Sequence, residues 1–160
     1  MPAIDLATPP DLSERERRTV ALATSLAREF APGAAAHDRD GSFAIEHYQR
    51  LHVAGYLRLA LPRDHGGDGA NLFEMVQERL AQGDAATAVG VGMLLNAIGN
   101  LGEQAIWPEP VYAEVCRTLA REGGIANSVV TEADLGSISR GGVPATTATR
   151  VDGGWLINGH

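Results

Sequence analysis

The stretch Val129-Val130-Thr131-Glu132-Ala133-Asp134-Leu135-Gly136-Ser137 decides the fold, because the patterning of the chain changes across it. Ile125 to Val130 is a short apolar run rich in β-branched residues, and it passes into a polar segment closed by Gly136-Ser137. That is the pattern of a buried strand delivering a polar loop. Such a loop offers backbone N–H groups and the hydroxyls of Thr131 and Ser137, the donors that an anionic or heteroaromatic ligand requires. Upstream the chain reads as helices, and downstream as hairpins.

Moving back from the loop, Pro110 in the first turn and Gly123-Gly124 at the end bracket a helix from Glu109 to Arg121. Before it, Ala85 to about Asn100 is apolar nearly all round, through Val89, Val91, Met93, Leu94, Leu95 and Ile98. A helix without a charged face is buried on most sides or faces a partner. A helix from Asn71 to Gln82 presents Leu72, Met75, Val76 and Leu80. The connection from Tyr56 to Asn71 holds Pro62 and too many glycines to be regular throughout. A helix from Ser42 turns Ile45, Tyr48, Leu51 and His52 inward and stops at Gly55. At the front, Ser13 and Glu16 form a capping box for a helix whose apolar face is Leu22, Ala23, Leu26, Ala27 and Phe30, with Pro32-Gly33 predicted as its end. Residues 1–12, with Pro2, Pro9 and Pro10, read as a loose arm.

Moving forward, Thr146 to Val151 and Trp155 to Asn158 read as two arms around a three-residue loop, Asp152-Gly153-Gly154. Asn158-Gly159 is itself a hairpin-turn pair, and the strand it implies is not supplied by His160. The expectation is a chain whose sheet continues beyond these residues. The fold class is thus α+β, with an all-α domain over 1–124 and the beginning of an antiparallel β-domain over 125–160.

Composition narrows the function. With 44% hydrophobic and 21% charged residues, the chain has the material for a packed core. A net charge of −7 and pI near 5.1 argue against a nucleic-acid partner, which needs a basic surface. The lone Cys116, between Val115 and Leu119, reads as a packed core thiol with no disulfide partner. Met1 to Pro10 lacks the features of a signal peptide, and no stretch is read as spanning a bilayer. The default compartment is the cytoplasm. His37, His47 and His52 lack the spacing of a helical zinc site, so no metal is assigned. His65 beside Gly66-Gly67 reads as a turn or surface residue without a partner, and Gly66-Gly67-Asp68-Gly69 as a flexible connection without the spacing of a dinucleotide cradle.

The run V-V-T-E-x-x-x-G-S at 129–137, followed by Asp152-Gly153-Gly154-Trp155-Leu156-Ile157-Asn158-Gly159 and preceded by Ala60-Leu61-Pro62 through Gly69, resembles the acyl-CoA dehydrogenase family of flavoenzymes. Helices, glycine link, loop and hairpin stand in the family's order. Ala133, Ile138 and Ser128 depart from the family's usual residues. The resemblance implies that 125–160 begin a flavin-binding domain in which Ser128, Val129, Val130, Thr131, Gly136 and Ser137 contact FAD. Thr131 would stand near the flavin N5 edge, and Ser137 would also reach the acyl-CoA substrate. The reaction implied is α,β-dehydrogenation of an acyl thioester in fatty acid metabolism, by a homo-oligomer when complete. The family's proton-abstracting Glu belongs to a C-terminal helical domain, so no catalytic residue is assigned here, although acids such as Glu103 and Glu114 exist. Two other readings stand beside it: a flavin-dependent monooxygenase of the same fold, and a non-enzymatic helical interaction module suggested by Val89 to Ile98.

Overall fold

The computed structural model describes residues 11–59, 61–67, 73–126, 131–132, 135–137 and 141–159. The chain separates into two compact units, Met1–Asn127 and Ser128–His160. The first is helical: α1 (Glu14–Asp40), α2 (Ile45–Val53), α3 (Phe73–Ala81), α4 (Ala85–Gln104) and α5 (Glu109–Glu122), with 3-10 turns at Tyr56–Arg58 and Arg63–His65. The second holds two antiparallel pairs, β1 (Thr131–Glu132) with β2 (Gly136–Ser137), and β3 (Thr147–Val151) with β4 (Gly154–Asn158).

The capping box of α1 is present: Ser13 N–H donates to Glu16 Oε2 at 2.7 Å and Glu16 N–H to Ser13 Oγ at 3.3 Å. Its inward face is Val20, Ala23, Leu26, Ala27 and Phe30. The helix does not end at Pro32-Gly33, as the sequence suggested, but continues to Asp40 and stops at Gly41 in the left-handed conformation, φ 60°. An interior proline forfeits one helical hydrogen bond and costs roughly 3 kcal/mol. Here Arg28 and Pro32 lie on the exposed face, where water can satisfy the orphaned carbonyl. Ala34, Ala35 and Ala36 then favour continuation, and a core side chain such as Leu26, at 0% exposure, contributes roughly 1.5–3 kcal/mol.

On α2 the inward positions are His47, Tyr48 and Leu51. Ile45, expected inside, is 51% exposed, and His52 is half-buried. The buried stripe is set by His47, which hydrophobic periodicity does not register. In the following link, Leu57, Leu59 and Leu61 enter the core together with Tyr56, whose hydroxyl donates to Gln77 Oε1 at 2.8 Å. Gln77 in turn donates to the Ala88 carbonyl at 3.1 Å. A buried phenol thereby ties the link to both α3 and α4.

The described part of α3 buries Val76 and Leu80; Asn71 and Leu72, expected in its first turn, lie outside the described residues. Helix α4 buries Thr87, Ala88, Val91, Leu94, Leu95 and Ile98 along one face. It is not covered all round in this unit, since Val89 and Met93 are 68% and 61% exposed. By length and composition alone, this 20-residue helix is long and apolar enough to cross a membrane, which corrects the expectation that no stretch is. The buried face instead packs in the helical core. Tyr112, Cys116 and Leu119 of α5 complete that core, and the Tyr112 hydroxyl donates to the Ile98 carbonyl at 3.2 Å.

Of the strand expected over Ile125 to Val130, Ile125 and Ala126 are not extended into a ladder, and 127–130 lie outside the described residues. The later hairpin is tighter than expected. Val151 pairs with Gly154, so Gly154 belongs to β4 and the loop is Asp152-Gly153 alone. Gly153 adopts φ 82°, a conformation that favours glycine.

Gly83, between α3 and α4, approaches the α1 backbone so closely that an added Cβ would stand 2.0 Å from the Ala27 carbonyl oxygen. Gly33, inside α1, has room, its nearest neighbours being at 3.9 Å. Gly83→Ala should therefore destabilise the protein by about 1–3 kcal/mol, whereas Gly33→Ala should stabilise it by about 0.5–1 kcal/mol. Urea unfolding of the two variants should move the midpoint in opposite directions.

Candidate functional site

The sequence placed the chemistry in the loop closed by Gly136-Ser137, and the backbone there forms a short hairpin. Thr131 pairs with Ser137 and Glu132 with Gly136. The register brings the two hydroxyl-bearing residues opposite each other across the ladder. Ser128, Val129 and Val130, the other expected flavin contacts, lie outside the described residues.

Glu132 is the residue whose part sequence reasoning missed. Its carboxylate accepts the Ala145 N–H at 2.7 Å and the Thr146 N–H at 2.8 Å. One side chain therefore ties the loop to the segment that enters β3. Hydrogen bonding from Thr146, then from the Ala145 backbone, holds this carboxyl below its ordinary pKa. The T-E pair in the motif was visible, but nothing in the sequence marks which N–H groups a carboxylate thirteen residues away will reach.

A second polar constellation lies inside the helical unit. His47 Nδ1 is 2.8 Å from Asp84 Oδ2, and both side chains are almost fully buried. The Thr87 hydroxyl donates to the same Asp84 oxygen at 2.5 Å. The other oxygen, Oδ1, accepts the Ala86 and Thr87 N–H groups at 3.0 and 3.2 Å and so caps α4. The His47 ring stacks on Phe30 with centroids 4.1 Å apart. Burial opposes the ionised form of Asp84, yet hydrogen bonds from Thr87 and His47 outweigh it and hold the carboxyl below its ordinary pKa. Nearby, His37 lies 2.8 Å from Ser42 Oγ through Nδ1 and 2.7 Å from Glu46 Oε1 through Nε2. Spacing along the sequence gave no hint of this gathering, because its members come from three separate helices and their caps.

His65 is not without partners. It lies 3.4 Å from Glu109 and meets the Tyr112 ring edge-on at 5.1 Å. Cys116 is fully buried, and that burial pushes its thiol pKa up, which disfavours the thiolate needed for nucleophilic chemistry. Glu103 and Glu114 are exposed, and Glu114 forms an ion pair with Arg117.

A helical unit with a glycine link is followed along the chain by a short T-E-x-x-x-G-S hairpin and then a second hairpin, an α+β order of elements. The chain belongs to the acyl-CoA dehydrogenase family: residues 13–106 match the family described as acyl-CoA dehydrogenase, N-terminal domain. YdbM of Bacillus subtilis (strain 168), assigned by name to the acyl-CoA dehydrogenases, is 42% identical over 150 residues, 92% of this chain and 39% of YdbM. Among solved structures, a chain from work on the electron-transferring flavoprotein of Acidaminococcus fermentans and flavin-based electron bifurcation superposes with a TM-score of 0.80. It is 18% identical, and the match covers 95% of this chain and 40% of that one. Dibenzothiophene monooxygenase from Paenibacillus sp. A11-2, with FMN and indole bound, superposes with a TM-score of 0.70 at 21% identity, over 89% of this chain and 34% of its own. At these identities the structures speak to fold alone. The chain spans about two fifths of the length of the curated relatives it matches.

Two outcomes follow from the carboxylates. Glu132→Ala should abolish amide hydrogen-exchange protection at Ala145 and Thr146 while leaving the amides of α4 protected, as NMR or mass spectrometry can read. Because the folded pKa of Asp84 is depressed, its contribution is complete above the unfolded value of about 3.9 and is lost as pH falls through the lower folded value. Asp84→Asn should thus flatten the acid limb of a stability-against-pH curve relative to wild type.

Proposed function

We propose that the protein is an FAD-dependent acyl-CoA dehydrogenase-like oxidoreductase that removes the α-proton and a β-hydride from an acyl thioester. The observation that carries this reading is the family match over 13–106 followed, in the same chain, by the closed loop in which Thr131 pairs with Ser137. When bound, FAD supplies the hydride acceptor. Ser128, Val129, Val130, Thr131, Gly136 and Ser137 would hold it, with Ser137 also meeting the acyl-CoA. The local chemistry fits such a ligand: Glu132 commits its carboxylate to two backbone N–H groups, so its charge is not left free beside a ring that becomes electron-rich on reduction. Among the described acids, exposed Glu103 and ion-paired Glu114 are not assigned as the α-proton base.

Dehydrogenation is preferred to oxygenation because the relative at 42% identity is named for the former, whereas the monooxygenase likeness concerns the fold. The interaction-module reading is less favoured, since Val91, Leu94, Leu95 and Ile98 of the apolar run are core residues, although Val89 and Met93 are exposed. We further propose a cytoplasmic homo-oligomer, as the resemblance to the family implies.

Titrating the whole protein with FAD should change the flavin absorbance and fluorescence, and no change would remove the cofactor assignment. Thr131→Ala should slow flavin reduction by an acyl-CoA roughly 10–100-fold, about 1.5–3 kcal/mol, with a much smaller effect on unfolding. A wild-type rate in stopped-flow measurements would make Thr131 a turn residue only.

A further inference from the structure

We propose that His37, Glu46 and His47 form a binding site for a divalent transition metal of the zinc class, at the junction of α1 and α2. The three residues present ligand atoms that all lie within 4.8 Å of one another. Ligands about 2.0–2.1 Å from a tetrahedral zinc stand roughly 3.4 Å apart, so closure needs movements of about an ångström. Glu46, on the surface with a side chain 56% exposed, is free to make them.

The anchor of the site is His47. Its Nδ1 faces the Asp84 carboxylate, which accepts a hydrogen bond from Nδ1–H in the tautomer that leaves the Nε2 lone pair for a metal. A carboxylate behind the imidazole is the arrangement that orients histidine ligands and raises their basicity. Thr87 and the α4 cap fix that carboxylate, and Phe30 fixes the ring from one face. Nε2 looks toward α1: a Cβ placed on Gly33 would stand 3.9 Å from His47 Nε2 and 3.9 Å from His37 Cδ2. The second imidazole is therefore on the open side of the first. His37 is only half-buried, and it lines an open cavity of about 460 Å³ together with Ser42, Asp84 and Thr87, so the site is reached from the His37 side.

Charge and softness point the same way. Glu46 Oε1 lies 2.7 Å from His37 Nε2, and Asp84 Oδ2 lies 2.8 Å from His47 Nδ1. Two carboxylates beside two imidazoles offset a divalent charge. Two nitrogens with one oxygen suit zinc, cobalt or nickel rather than magnesium or calcium, which prefer oxygen alone.

The test is titration of the intact protein with Co(II), followed by displacement with Zn(II), in the presence and absence of flavin. One equivalent of Co(II) should give visible ligand-field absorption that Zn(II) abolishes and Mg(II) does not. Glu46→Gln and His37→Gln, at solvent-accessible positions, should each weaken binding at least tenfold while leaving the circular dichroism melt cooperative. Asp84→Asn, which keeps an oxygen for the α4 cap, should weaken it about 10–100-fold. Absence of the absorption, or an affinity unchanged in both Glu46→Gln and His37→Gln, would overturn the proposal and leave the three residues as a hydrogen-bonded cluster.

Discussion

The carboxylate of Asp84 adds a buried polar tie between helices that already share one apolar core. One oxygen ends the chain of unpaired N–H groups at the start of α4, and the other holds Thr87 and the buried imidazole of His47. An N-cap of this kind contributes about 0.5–2 kcal/mol to its helix. Here the same group also fixes the rotation of α2, because His47 can be buried only where its polar edge is satisfied. The stacking of His47 on Phe30 extends the tie to α1. Loss of the carboxylate would leave the buried imidazole with only the Thr87 hydroxyl, 3.2 Å from Nδ1, and α4 uncapped at once, so the two effects would not add as independent sites do.

The second unit is held by different means. Every residue of β3 and β4 is exposed, so the hairpin draws no stability from a core of its own among the described residues. Its order comes from backbone pairing, from the tight Asp152-Gly153 turn, and from the Glu132 carboxylate that gathers the N–H groups of Ala145 and Thr146. A two-stranded hairpin is marginal alone. Trp155, Leu156 and Ile157 are each about 60% exposed or more, so the hairpin holds its apolar residues outside any core among the described residues.

What the sequence revealed depended on whether a signal was local. The Ser13–Glu16 capping box, the Pro110 start of α5, its Gly123 end, and the pairing of 147–151 with 154–158 are all written in a few neighbouring residues. The family's loop and glycine link were equally local. Three things were not legible. Pro32 is a breaker by local rule, and its tolerance depends on which face of α1 meets water. His47 looks like a polar residue to be placed outside, and its burial depends on Asp84, 37 positions away. The wide apolar surface of α4 suggested burial on all sides, yet composition cannot say which flank the neighbouring helices occupy; Val91 is covered and Val89 is not.

The passage of α1 through Pro32 divides the helix into two regimes of cohesion. Up to Phe30 its inward residues are locked into the core, while from Gly33 to Asp40 no residue is fully buried. The missing hydrogen bond interrupts the helical ladder at the border between them. The last turns are held by the ties of His37 to Ser42 and Glu46 and by its edge contact with the buried His47 ring, rather than by aliphatic side chains of their own. The junction of α1 and α2 thus depends on polar ties more than on buried apolar surface, so a change at His37 bears on α2 as directly as on its own helix.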